Sequence, residues 1–413
     1  MNAGRRATIG LVVPSLENGG GVPAVAEFVC RCAEGSGAYD LRLVSLVSAM
    51  RGPLGVAISR PSSWLHPTYT ASIEWKGRPV TVVGSFMSEF EFQRFRARPA
   101  LAHALRGCDI IQVVAGCPAW ANAVTSAGPP VSLQVATRAV VERRRRDAHP
   151  HTVADRWRRA MTAVTDRLDD RALRRVQAVQ VENPWMLEYV TSINRDRADV
   201  DIRYAPPGVD AHSFRPASGR SPVERPYVLS VARFDDPRKN VELLLEALRL
   251  LPARMSGVEL WTAGMSPPPA AYFDRARSLG LADRVRHVDR PDRAQLVQLY
   301  QDALAFALPS DEEGLGVVLL EAMACGTAVV ATRCGGPDGI ITDGLDGFLV
   351  ERGDAHAMAD RLAALHADPA RRAAIAARGR ATIEERYSEE VAGARFHQIW
   401  GALLERSRSG RVT

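Results

Sequence analysis

The 413-residue sequence has almost no lysine: of its 53 basic residues, all but Lys76 and Lys239 are arginine. With abundant alanine, this bias fits a GC-rich coding sequence, so a lysine that persists points to a place where a compact, mobile ammonium is wanted. No apolar run reaches 18 residues, which excludes a transmembrane helix. The apolar stretch behind MNAGRR stops at Pro14, too short for the core of a secretory signal, and a cytoplasmic protein is expected. Cysteine is sparse: Cys30, Cys32, Cys108, Cys117, Cys325 and Cys334 are scattered, mostly in apolar segments. That pattern fits reduced thiols rather than a disulfide framework or a zinc site. Neither G-x-G-x-x-G nor a P-loop lysine follows the first strand, so the dinucleotide and ATP fingerprints are both missing. The net charge of +6 is mild, and no aromatic-basic stacking platform for nucleic-acid bases accompanies it.

The length fits two domains, each able to bury a core. Residues 309–336, PSDEEGLGVVLLEAMACGTAVVATRCGG, organise the second. A strand at 304–308 enters a polar turn carrying Asp311, Glu312 and Glu313. The turn Gly314-Leu315-Gly316 opens a buried helix over 317–324, stopped by Gly326, and a strand at 328–331 runs to Gly335-Gly336. Glu321 is a carboxylate inside an otherwise apolar helix. Helix N-termini and glycine turns offer free N–H groups to phosphate, and carboxylates accept hydrogen bonds from vicinal sugar hydroxyls. The plainer alternative is an ordinary strand–helix turn with solvated glutamates.

In chain order, strands are expected at 8–13, 41–47, 71–75, 80–83, 109–114, 131–135 and 178–181, and helices at 24–33, 88–106 and 184–193. The loop 14–23 has three successive glycines. The continuous apolar runs at 109–114 and 131–135 are of the parallel-sheet type. Residues 206–226, rich in Pro, Gly and Ser, are expected to be a linker between a first domain at 1–205 and a second at 227–388. A helix from 389 to about 406 should cross back to the first. Asp199-Val200-Asp201, formally an Asp-x-Asp metal pattern, only begins a strand and carries no metal role. The run ERRRR at 142–146, with Trp157, Arg158 and Arg159 after it, is more often a solvated helix face; peripheral contact with an anionic membrane is the alternative.

PS-x-x-E-G-x-G, then E-A-M-A-x-G and G-G, closely resembles glycosyltransferase family 4, retaining enzymes of the GT-B fold whose signature is Glu-x7-Glu, here Glu313 and Glu321. Pro309, Ser310, Gly326, Gly335 and Gly336 match around it. The resemblance implies an α/β protein with two Rossmann-like parallel-sheet domains facing a central cleft. It implies that Glu313 faces the donor sugar and Glu321 holds the ribose. Arg233 and Lys239 match the arginine and lysine that grip the donor diphosphate. Gly264 and Arg290 fall where relatives contact the donor, and Gly314, Leu315, Gly316 and Val317 form the donor turn. Gly20 and Gly21 fall in the glycine loop that meets diphosphate and acceptor. PPGVDAHSFRP resembles the family hinge, with Pro207 in place of asparagine, and Gly344 to Val350 matches G-x-x-G-x-L-V. One departure is plain. Where many relatives end one or both of two first-domain strands in histidine, this chain has Val114 and Ala136, so no catalytic histidine is carried over. Glu17, Trp120, Thr137 and Arg138 are the acceptor-side candidates, although a core role suits Trp120 better.

The resemblance thus implies retaining transfer of a sugar from a UDP-, GDP- or ADP-sugar to a hydroxyl of a small molecule or lipid, in specialised-metabolite or glycoconjugate biosynthesis. No metal or other cofactor is expected, because Arg233, Lys239 and helix N-termini neutralise the diphosphate. A non-hydrolysing nucleotide-sugar epimerase and a non-catalytic sugar-nucleotide-binding partner protein remain as alternatives.

Overall fold

The computed structural model describes residues 5–14, 16, 20–47, 54–58, 60–65, 70–217, 219 and 225–409. Two compact units divide the chain: Met1–Pro207 with Gly393–Thr413, and Gly208–Ala392.

The first unit carries an eight-stranded sheet: β1 (Ala7–Pro14), β2 (Tyr39–Leu46), β3 (Thr70–Trp75), β4 (Arg78–Val83), β5 (Ile110–Ala115), β6 (Val131–Val135), β7 (Ala178–Val181) and β8 (Asp201–Tyr204), in the order β3-β4-β2-β1-β5-β6-β7-β8. All neighbours run parallel except β3 against β4, a hairpin turned at Lys76 and Gly77, both at positive φ. Two central positive-φ residues suit a tight turn whose twist matches the strands. β5, β6 and β7 are buried along their whole length, as continuous apolar runs in a sheet covered on both faces must be. Inside this sheet lies a polar layer. Gln112 Nε2 donates to Gln180 Oε1 at 2.9 Å, Ser132 Oγ donates to the same oxygen at 3.0 Å, and Trp400 Nε1 donates to Gln112 Oε1 at 2.8 Å.

The single helix expected over 88–106 is instead two short ones, Glu91–Arg94 and Pro99–Ala104. Pro99 lacks an N–H and drives the preceding residue out of the helical region, and Arg98 is accordingly extended. The buried Arg98 guanidinium spans the break, donating to the carbonyls of Gly84 and Arg94. The basic run falls in the helix Arg144–Asp147, and part of its neighbourhood is paired rather than solvated: Arg143 meets Glu91 at 2.6 Å and Arg158 meets Asp147 at 3.2 Å.

The second unit holds six parallel strands: β9 (Tyr227–Val231), β10 (Glu259–Gly264), β11 (Val285–Asp289), β12 (Ala305–Leu308), β13 (Val329–Thr332) and β14 (Phe348–Val350), ordered β11-β10-β9-β12-β13-β14. Successive residues face opposite sides. Val228, Leu260, Ala307 and Val330 join one core with the helices Glu242–Leu250 and Ala355–Ala367; Leu229, Phe306, Leu308 and Ala331 join another with Val317–Ala324. The order reverses between β9 and β12, which makes the carboxyl ends of those two strands the topological switch point where open α/β sheets bind ligands.

The expected linker does not begin at 206. Val209, Ala211 and Phe214 are buried in the second unit's core, and the Val209 N–H donates to the Tyr387 carbonyl at 2.8 Å. Three apolar anchors hidden in a Pro- and Gly-rich composition draw the segment in. The first helix of the second unit's sheet region starts at Glu242, after a 3₁₀ turn at Pro237–Lys239 that ends on Asn240 at φ 43. The helix after Pro369 runs to Thr382 and closes in a π turn, Ile383–Tyr387. The last helix, Glu389–Ser409, packs Phe396 edge-on to Phe28 at 5.3 Å and Trp400 edge-on to Tyr39 at the same distance. No helix among the described residues is long and apolar enough to cross a membrane.

Candidate functional site

Two loops leave the switch point of the second unit, 232–240 after β9 and 309–316 after β12. Consecutive residues of one pair with consecutive acids of the other. Arg238 Nη1 meets Glu312 Oε2 at 2.6 Å, Lys239 Nζ meets Glu313 Oε1 at 2.7 Å, and Asn240 Nδ2 donates to Asp311 Oδ1 at 3.0 Å. The Asp311 N–H closes on the Arg238 carbonyl at 2.7 Å. The left-handed turn at Asn240 lets three successive side chains reach the same loop, a conformation asparagine tolerates better than most residues.

Glu313 is nearly buried, and among the described residues two side-chain hydrogen bonds reach it, both on Oε1: one from Lys239 and one from the Ser310 hydroxyl at 2.7 Å. Its backbone is pinned between the Cys334 carbonyl and the Gly336 N–H. That pairing brings the two glycines of 335–336 against the acidic turn. A Cβ on Gly336 would lie 2.2 Å from the Leu315 carbonyl oxygen, so only glycine fits there. Gly316 caps the helix Val317–Ala324, whose first N–H groups emerge beside Leu315.

Arg233 is about half exposed and tied to Asp236 at 2.9 Å. Burial pushes the Asp236 carboxyl up, but the Arg238 hydrogen bonds and charge outweigh it and hold it at about 2. Asp236 therefore stays ionised and anchors both arginines. Gly264, at the end of β10, packs so tightly on the loop that a Cβ would sit 2.2 Å from the Ala232 carbonyl oxygen. The Arg290 N–H donates to the Gly264 carbonyl at 2.8 Å, and Arg290 takes a positive φ. The strand ends thus bring together Arg233, Lys239, Gly264, Arg290, Glu313, Gly314, Leu315, Gly316 and Val317.

Glu321 lies one to two turns into the helix, amid buried Leu320, Ala322 and Met323. Burial pushes its carboxyl up to about 7, against the opposing hydrogen bond from Tyr300 and the charge of Arg293. It can therefore change charge near neutral pH.

The remaining candidates belong to the first unit. Gly20 and Gly21 stand at the start of the helix Gly21–Gly35, and Glu17 lies outside the described residues. Trp120 is buried in the 3₁₀ turn Pro118–Ala123 against Phe95, ring centroids 5.0 Å apart, a core position. Thr137 is buried with its Oγ1 unpartnered. Arg138 is committed to Asp166 at 2.6 Å and Asp170 at 3.1 Å, over the Tyr189 ring. No group of three or more metal-ligating side chains stands together among the described residues.

Sequence reasoning missed Tyr300, Asp236 and Glu182. Glu182, just past β7, is buried with one hydrogen bond from Gln134 and is pushed up to about 7 by burial. A charged residue directly after an apolar strand was the available signal for it. Tyr300, 21 residues before Glu321, had none.

Residues 213–382 match the family model of "Glycosyl transferases group 1". A D-inositol 3-phosphate glycosyltransferase of Xylanimonas cellulosilytica is 35% identical over 51% of this chain and 53% of its own. A GDP-mannose-dependent alpha-(1-6)-phosphatidylinositol monomannoside mannosyltransferase of Mycolicibacterium smegmatis is 32% identical over 49% and 57%. The chain spans about half the length of these curated relatives. In fold it is similar to sucrose-phosphate synthase from Thermosynechococcus elongatus (TM-score 0.70, 20% identity, 97% of this chain and 100% of that one). It is also similar to HepE of Anabaena, solved with UDP-glucose (TM-score 0.69, 16% identity, 96% and 99%). The likeness in fold agrees with the two Rossmann-like parallel-sheet α/β domains that the resemblance implied.

Proposed function

We propose that this protein is a glycosyltransferase that moves a sugar from a nucleotide-sugar donor to a hydroxyl acceptor with retention at the anomeric carbon and without a metal. The observation that carries this reading is the ion pair between Lys239 and Glu313 at the switch point of the second unit, with Arg233 on the same loop. It sets a fixed cation and a nearly buried carboxylate 2.7 Å apart at the sheet edge where such folds take ligands.

Arg233 and Lys239 meet the donor diphosphate, and the N-terminus of the helix Val317–Ala324 adds its N–H groups. As the bond from the anomeric carbon to the phosphate oxygen breaks, its electron pair stays on the β-phosphate. Fixed cations stabilise that charge more as it grows. The acceptor hydroxyl bonds to the anomeric carbon on the face the phosphate leaves, and its proton passes to the leaving phosphate oxygen. Glu313 faces the sugar with the oxygen its two donors leave open, where negative charge favours a cation-like ring. Glu321 accepts the ribose hydroxyls, and the backbone at Gly264 and Arg290 borders the base. The family match over 213–382 supports these donor-side roles.

The test is a thermal-shift screen with UDP-, GDP- and ADP-sugars, followed by release of nucleoside diphosphate with and without hydroxyl acceptors. NMR then gives the anomeric configuration of the product. Acceptor-dependent release with retention, unchanged after exhaustive EDTA, is expected. Epimerisation without acceptor would make the protein an epimerase. Binding without turnover on any acceptor would make it a sugar-nucleotide-binding partner. Activity lost to EDTA and restored by magnesium or manganese would overturn the metal-free mechanism.

A further inference from the structure

Glu321 is held by a residue to which no role has yet been given. Tyr300 lies in the helix Arg293–Asp302, is fully buried, and donates its hydroxyl to Glu321 Oε2 at 2.9 Å. Its ring is clamped edge-on by Phe214 at 6.2 Å and Phe306 at 5.6 Å. Its backbone is fixed as well: the Thr327 hydroxyl donates to its carbonyl at 2.6 Å, and the Tyr227 hydroxyl donates to the neighbouring Leu299 carbonyl at 2.8 Å. A phenol so fixed cannot follow the carboxylate; the carboxylate must come to it. Among the described residues, this is the one hydrogen bond the Glu321 carboxyl makes, and Oε1 is left open.

We propose that Tyr300 is a positioning residue for Glu321, holding Oε2 so that Oε1 presents itself to the vicinal hydroxyls of the donor ribose. The proposal rests on the reading of Glu321 as the ribose acceptor given above. It goes beyond that reading by assigning the residue that aims the carboxylate and keeps it ionised.

Donation from a phenol favours the charged carboxylate, and burial opposes it. The groups facing Glu321 are few. Arg293 and Tyr300 come from the helix Arg293–Asp302, and Cys325 follows on its own helix. From Pro369–Thr382, Arg380 spends one donor on the Ala324 carbonyl at 2.7 Å. From the π turn, Tyr387 donates to Gly339. Removing the Tyr300 hydroxyl therefore removes the main hydrogen bond favouring the anion. The carboxyl would then stay protonated to higher pH, and a protonated carboxyl is the poorer acceptor for a diol.

Tyr300→Phe keeps the ring and its packing. UDP, GDP and ADP, and their nucleosides, are titrated calorimetrically from pH 6 to pH 9 into wild type, Tyr300→Phe, Glu321→Gln and the double variant. Wild-type nucleoside affinity should fall as pH drops through about 7. With the inflection raised by about one unit, Tyr300→Phe should lose about fivefold at pH 7 and less than twofold at pH 9. In the Glu321→Gln background the same change should cost nothing further. A Tyr300→Phe pH profile that superimposes on wild type overturns the proposal, as does an equal loss in the Glu321→Gln background. The ribose reading is tested apart from Tyr300 with 2′,3′-dideoxy nucleosides. If wild type and Glu321→Gln both bind these as well as the parent nucleosides, that reading fails whatever Tyr300 does.

Discussion

Lys239 and Glu313, 74 residues apart in the chain, hold each other at 2.7 Å, the lysine from the loop after β9 and the glutamate from the loop after β12. The pair joins two residues to which the family resemblance gave separate expected roles, one toward phosphate and one toward sugar. A cation already at its counter-charge can be shared with an incoming diphosphate at little rearrangement, and its removal is felt at both ends.

Lys239→Ala should weaken nucleoside diphosphate binding far more than nucleoside binding. A lost charged hydrogen bond costs roughly 1.5–3 kcal/mol, or about tenfold or more in affinity. Titrations of both ligands into the variant check it. Equal weakening of the two would remove Lys239 from the phosphate site.

Glu313→Gln and Glu321→Gln should fail in different ways. If Glu313 meets the sugar as it becomes cation-like, its neutralisation lowers kcat and leaves nucleotide affinity nearly unchanged. If Glu321 holds ribose in ground and transition states alike, its loss raises donor KM with less effect on kcat. Steady-state kinetics at saturating acceptor, with diphosphate affinity measured apart, separate them. A Glu313→Gln enzyme that keeps kcat and loses nucleotide affinity would reverse the two roles.

Glu182→Gln should stabilise the protein at pH 8 and do little at pH 5. Burial raises the folded carboxyl from 4.5 to about 7, so between those values the folded state binds the extra proton. Its contribution to stability is therefore full below 4.5 and lost as pH rises through 7, by on the order of 3 kcal/mol. Glutamine escapes that loss. The Gln134 amide, whose Oε1 has no partner, can flip to accept from the new side chain. Thermal melts at the two pH values should show the variant gaining several degrees on wild type at the higher one. A gap that does not change with pH would mean that Glu182 titrates normally.

Gly336→Ala should destabilise the second unit strongly, by about 3 kcal/mol, since the new methyl meets the Leu315 backbone carbonyl, which cannot swing aside as the end of a flexible side chain could. Gly257→Ala, whose Cβ meets nothing within 4 Å, is the control. Comparable melts for the two would mean that the 335–336 turn is loose.

Where local chemistry decides structure, the sequence was readable. The strand Val131–Val135, the helix Pro184–Ile193 behind its Asn183 cap and proline, and the helix Val317–Ala324 between glycines have the bounds their residues suggest. Residues 88–106 were read as one helix although Pro99, which starts a second one, stands inside them. Residues 209–214 were misjudged because turn-forming composition concealed three core anchors. In the site, the Glu-x7-Glu spacing and the surviving Lys239 could be seen in the chain. The contact between Lys239 and Glu313, and that of Tyr300 with Glu321, depend on which strands lie side by side, and no local pattern encodes that.

In the sequence the second unit interrupts the first. Its two ends lie against each other, the Val209 N–H on the Tyr387 carbonyl and the Glu389 N–H on the Val209 carbonyl at 3.2 Å. The first unit resumes only at Gly393, so Gln112 waits for the indole of Trp400, 288 residues further on. During synthesis, then, the half that leaves the ribosome first is the last to be completed. Until the final helix emerges, Gln112 lacks its indole donor and Phe28 and Tyr39 lack the rings of Phe396 and Trp400, leaving apolar surface that a chaperone can hold and a premature stop would leave bare.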